Sequence, residues 1–148
     1  WHFIRGGLRH NTVTFYASRH LKKNHLQKDS SVSFLSKLFG PPLPAIDAAT
    51  LQTKLNEKPK PLVLDVREPS EYAAGHIAGS TLLPLHQLPS RMNELPKDRE
   101  IVCVCASGSR SSSAARQLTG AGYTVLNLSG GMGRWLQAGL PIKKGASK

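Results

Sequence analysis

An α/β domain with a mainly parallel sheet is the fold this sequence predicts, on three observations. Two short apolar runs, Pro61-Leu62-Val63-Leu64-Asp65-Val66 and Glu100-Ile101-Val102-Cys103-Val104, read as strands buried on both faces. Segments of helical periodicity follow such runs, and glycine closes most of them. Strand and helix therefore alternate, with no internal repeat, which is the pattern of a parallel sheet flanked by helices.

The elements follow in order. Gly40-Pro41-Pro42-Leu43-Pro44 is expected to be a linker, because its prolines exclude helix and sheet pairing. Ala45-Ile46 suits a short edge strand. Asp47 is an N-cap for a helix over 48–56, where Ala48, Leu51 and Leu55 share a face. After the first core strand, 68–74 is a brief helix closed by Gly75. His76-Ile77 and Thr81-Leu82-Leu83 are extended pieces, and a helical turn lies near 86–92. After the second core strand, 109–119 is a helix that Gly120 ends, 123–126 is a strand, and 131–138 is a short helix ended by Gly139 and Pro141.

The chain has 148 residues, 39% of them apolar, enough for one domain with a packed core. No run of eighteen apolar residues is present, so a soluble protein without a membrane span is expected. The formal net charge of +11 raises nucleic-acid binding as a possibility. Residues 1–31 carry Arg5, Arg9, Arg19, Lys22, Lys23 and Lys28 against Asp29 alone, and the remainder has no dense basic run interleaved with aromatics. A solvated basic surface is the preferred reading, and nucleic acid is not an expected partner.

Residues 1–44 are expected to be a disordered basic extension and linker, and 45–143 the ordered domain. His2, His10, His20 and His25 share no helix face, which argues against a metal site. An arginine-bearing, acid-poor start also fits a mitochondrial transit peptide. Trp1 is not expected to be a native start; Val32, ahead of an amphipathic stretch over 33–39, is an alternative one. Cys103 and Cys105 are too close to staple a fold, and on a strand they point to one side. A reducing compartment follows, so a cytoplasmic location is expected, or a mitochondrial one if residues 1–31 are a transit peptide.

The chemistry is concentrated where the second core strand ends. Cys105 opens a loop of small residues, Ala106, Ser107, Gly108 and Ser109, and Arg110 belongs to the same loop. Ligands of open α/β sheets bind beyond the carboxyl ends of strands, near helix N-termini. Small side chains let the backbone curl with N–H groups turned inward, a nest that stabilises an anion. Helix N-termini and neighbouring cations lower a cysteine pKa from about 8.5 to roughly 3.5–7.5. Cys105 is therefore expected to be a nucleophilic thiolate, with Arg110 adding positive charge. Gly108 is expected at positive φ. Cys103 reads as a buried strand residue, with a resolving thiol as the alternative.

Three motifs carry a resemblance. Cys105-Ala-Ser-Gly-Ser-Arg110 resembles the rhodanese active-site loop, commonly Cys-x-x-Gly-x-Arg. Residues 64–72 (LDVREPSEY) with 75–80 (GHIAGS) look like the family's early motif. Residues 130–135 (GGMGRW) with 138–141 (AGLP) are similar to its closing motif. The three occur in family order across about residues 45–142.

The resemblance implies a rhodanese-like three-layer fold with a five-stranded sheet, and a single-domain sulfurtransferase. It implies that Cys105 takes sulfur from a small anion such as thiosulfate, or from a persulfide, and passes it to cyanide, a thiol or a thiol-bearing protein. No metal or organic cofactor is expected. Phosphatase and arsenate-reductase relatives have five residues where this chain has four between Cys105 and Arg110, so the shorter loop favours a single sulfur. Ala106 stands where many thiosulfate-using members have a basic residue, which removes one grip on a dianionic donor. A non-catalytic persulfide carrier or interaction module is therefore the alternative function.

The supporting residues are Asp65, Arg67, Glu71 and Trp135. Asp65 and Arg67 are expected to pair or to shape the pocket. Glu71 is expected to bind loop N–H groups, to pair with Arg110 or to be a solvated acid. Trp135 is expected to wall the loop or to fill core. His76 is expected to make a structural hydrogen bond, since a thiolate needs no base.

Overall fold

The computed structural model describes residues 42–145. Expectations that rest on residues 1–41, including the extension, its histidines and any transit peptide, lie outside the described residues. The order is β1 (Ala45–Ile46), α1 (Ala48–Asn56), β2 (Leu62–Asp65), α2 (Pro69–Ala74), β3 (Thr81–Leu82), α3 (Leu88–Arg91), β4 (Ile101–Val104), α4 (Ser109–Gly120), β5 (Val125–Leu128) and α5 (Gly131–Gln137). Five parallel strands run in the order β1-β5-β4-β2-β3, so the expected α/β class and five-stranded sheet are present.

β4 is the central strand, and all four of its residues are buried. Its alternation divides the core into two layers. Ile101 and Cys103 face a layer shared with Leu64, Val66, Ala114, Ala115 and Leu118. Val102 and Val104 face the other, with Leu51, Val63, Met132 and Trp135. Helices cover both faces, and Cys105 follows the carboxyl end of β4.

Local signals account for most boundaries. The Asp47 carboxylate accepts from the Thr50 N–H at 2.8 Å and so caps α1. Pro69 begins α2, where a missing N–H costs no hydrogen bond. Two expectations shift. The fifth strand runs over Val125–Leu128 rather than 123–126, because Tyr123 belongs to the turn: its N–H bonds the Leu118 carbonyl and its hydroxyl the Met92 carbonyl. The proline linker is not free of the sheet, since Pro44 lacks a donor but keeps an acceptor, which takes the Asn127 N–H at 3.0 Å. His76 forms an isolated antiparallel bridge with Lys143 and does not extend the parallel sheet.

Asp65 and Arg67, at the end of β2, pair with each other. The guanidinium donates to the carboxylate at 2.6–3.1 Å and to the Gly75 carbonyl at 2.8 Å. Both residues are buried, at 1% and 6% exposure. The pair ties the strand end to the turn after α2. Removing one partner strands a buried charge, so Arg67→Ala is expected to lower stability by about 3–5 kcal/mol, read as a lower urea midpoint at unchanged slope.

Candidate active site

Cys105 follows β4 directly and is almost fully buried. Its Sγ accepts from the Gly108 N–H at 3.1 Å and from the Ser111 hydroxyl at 3.3 Å. Burial pushes the thiol pKa up, but the Ser111 hydroxyl and the main-chain N–H groups of Ser111, Gly108 and Ser107 outweigh it. The net shift is downward, toward the thiolate. Of the loop's amides, the Gly108 N–H bonds the sulfur directly.

That arrangement is imposed from outside the loop. The first turn of α5 lies against it, with the Met132 N–H on the Cys105 carbonyl at 2.8 Å and the Gly133 N–H on the Ala106 carbonyl at 3.0 Å. Carbonyls drawn toward α5 leave the amides that follow free to turn inward. Gly131 makes this approach possible: a Cβ there would lie 2.2 Å from the Cys105 oxygen. Gly108 completes the curl at φ +101°, a conformation that favours glycine.

Arg110 is tied to Glu71. The guanidinium grips the Glu71 carboxylate with both arms, at 2.7 and 2.8 Å, while its charge still acts on Cys105. Glu71 also accepts the Glu68 N–H at 3.0 Å. The Arg110 hydrogen bonds hold its carboxyl down at about 2, and the Arg110 pKa is raised in turn. Of the alternatives for Glu71, the structure has the ion pair, which fastens the loop to α2.

A rhodanese-like domain model matches residues 47–138. The chain belongs to the rhodanese-like family. It is 45% identical over 98 residues to a sulfurtransferase of Allochromatium vinosum, covering 66% of this chain and 92% of that protein. It is 39% identical over 75 residues to the thiosulfate sulfurtransferase GlpE of Pseudomonas entomophila, covering 50% of this chain and 69% of that one. Against other curated relatives the matched region spans 61% of one and 49% of another. The crystal structure of a rhodanese-related protein from Thermoplasma volcanium superposes with a TM-score of 0.64 at 33% identity, covering 68% of this chain and 97% of that one.

Within this rhodanese-like domain the remaining residues separate clearly. Ala106, Ser107 and Ser109 are exposed around the buried sulfur. Trp135 does not wall the loop: it fills the core layer on the opposite face of the sheet from Cys105 and donates to the Pro141 carbonyl at 3.0 Å. Asp65 and Arg67 spend their hydrogen bonds on each other and on Gly75, not on the loop. His76 is structural, stacked on Tyr72 at 3.7 Å with Nδ1 donating to the Tyr72 carbonyl. Cys103 shares the Cys105 face, but burial pushes its thiol up to about 12, which disfavours a resolving role. Among the described residues no three His, Cys, Asp or Glu side chains converge on a metal site.

Ser111 is the functional residue that sequence reasoning missed. A signal was present, because Ser111, Ala114, Ala115 and Leu118 form a buried stripe at helical spacing in which only the serine is polar.

Two outcomes are expected. Ser111→Ala removes a donor to the sulfur, so alkylation of Cys105 by iodoacetamide at neutral pH should slow roughly three- to tenfold. Glu71 has a folded pKa lowered from 4.5 to about 2, so the stability it contributes is present above 4.5 and lost as pH falls toward 2. Urea unfolding over that window should show a steeper decline for wild type than for Glu71→Gln.

Proposed function

We propose that the protein is a sulfurtransferase that carries sulfur as a persulfide on Cys105. The observation that carries this reading is one buried sulfur at the end of the central strand, bonded by the Gly108 N–H and the Ser111 hydroxyl in a loop of small residues. Relatives named as sulfurtransferases support it. In the first half-reaction the Cys105 thiolate attacks the outer sulfur of the donor. The donor's S–S bond breaks, its electron pair leaves with a thiolate or with sulfite, and Cys105–S–S⁻ remains. In the second, cyanide or a thiolate attacks the outer sulfur and the Cys105 thiolate leaves. Total charge is unchanged in each step, no net oxidant is consumed, and ping-pong kinetics follow.

The donor we favour is the persulfide of a small thiol or of a thiol-bearing protein. Thiosulfate is a dianion, and the cations that would grip it are missing: residue 106 is alanine and Arg110 is held by Glu71. The same feature gives the sulfur-carrier reading its support.

Intact-protein mass after treatment with thiosulfate or glutathione persulfide tests the reading. Wild type should gain one sulfur atom and Cys105→Ser none; equal gain by both would remove the assignment. Transfer to cyanide should be faster from the persulfide than from thiosulfate. A stable persulfide without turnover from either donor would favour the carrier.

A further inference from the structure

We infer that Asn127, acting through Ser112, is a positioning residue for the Cys105 sulfur, an assignment that rests on the sulfur-transfer reading above. Asn127 lies on β5 opposite Cys103 of β4 and is 9% exposed. Its Nδ2 donates to the Ser112 hydroxyl oxygen at 2.8 Å and lies 3.4 Å from the Gly108 carbonyl oxygen. The Ser112 hydroxyl donates to that same carbonyl at 2.7 Å, and the Ser112 N–H reaches it at 3.0 Å. Three donors thus converge on one carbonyl oxygen, and it belongs to the glycine whose own N–H points at the sulfur.

The amide's orientation follows from this network. Ser112 has only one hydroxyl proton, and Gly108 takes it, so Asn127 must present its NH2 end. Its Oδ1 is left as the buried side-chain nitrogen or oxygen without a partner among the described residues. A buried orphan acceptor is unfavourable, and an apolar side chain on β5 would avoid it. The amide makes sense by what its other end holds. Gly108 sits at φ +101°, packed toward the Gly130 N–H and the Leu128 carbonyl, and glycine has the widest choice of alternative conformations. Clamping its carbonyl keeps its N–H on Cys105. In the persulfide, the charged outer sulfur would rely on the same group of amides.

Asn127→Leu keeps approximate volume and removes the clamp, while Ser112→Ala removes the intermediate hydroxyl. The readout is the pH dependence of Cys105 alkylation by iodoacetamide, followed on the Cys105 peptide, with urea unfolding run in parallel. Both variants should move the profile to higher pH, with alkylation at pH 7 slowed about three- to tenfold for Asn127→Leu and less for Ser112→Ala. Wild-type profiles in both folded variants would overturn the assignment, as would a wild-type profile in Ser112→Ala if Asn127→Leu does not fold. Alkylation does not depend on sulfur transfer: a wild type that is alkylated as a thiolate yet never gains sulfur defeats the proposed function and leaves this test intact.

Discussion

The site depends on one constraint: the carbonyls of Cys105, Ala106 and Gly108 are bonded away from the sulfur, while the Gly108 N–H and the Ser111 hydroxyl bond it. Met132 and Gly133 at the start of α5 take the carbonyls of Cys105 and Ala106, and Ser112 with Asn127 takes that of Gly108. A short loop left to itself would satisfy its amides with water or with its own carbonyls. Here a buried thiol that desolvation would neutralise is biased toward the thiolate.

The rest of the domain holds those clamps in place. β4 is buried from end to end, which fixes where Cys105 emerges. Ala114 and Ala115 let α4 lie close on β4, and this brings Ser111 back to the sulfur six residues along the chain. The double glycine before Met132 lets α5 approach on the other side, where a side chain on Gly131 would collide with the loop backbone. The Glu71–Arg110 pair fastens the third side to α2. The early, central and closing motifs are therefore parts of one device, although Trp135 and the Asp65–Arg67 pair serve packing rather than the sulfur.

Charge at the mouth has a separate consequence. Arg110 shares the loop with Cys105, yet its guanidinium is taken up by Glu71, whose carboxyl is held near 2 by that bond. Stabilisation of the sulfur thus comes mainly from neutral dipoles fixed in position, with the paired Arg110 adding a Coulombic contribution. Dipoles of this kind hold one charged atom well and attract a distant dianion poorly.

The fold class, most element boundaries and the identity of Cys105, Gly108 and Arg110 were legible in the sequence by itself. Those features are set locally, by apolar runs, caps, glycines and the spacing within one loop. The start of β5, the pairing of Pro44 and the core position of Trp135 were not, because each is decided by what packs against it. The same holds for Ser111 and Asn127: a serine on an apolar helical stripe and an asparagine in a strand are unremarkable until the sheet brings them beside the loop. Which way Arg110 turned was likewise a tertiary outcome, decided by a carboxylate thirty-nine residues away on another helix. Local chemistry pointed to Cys105, while long-range hydrogen bonds determined the surroundings of its sulfur.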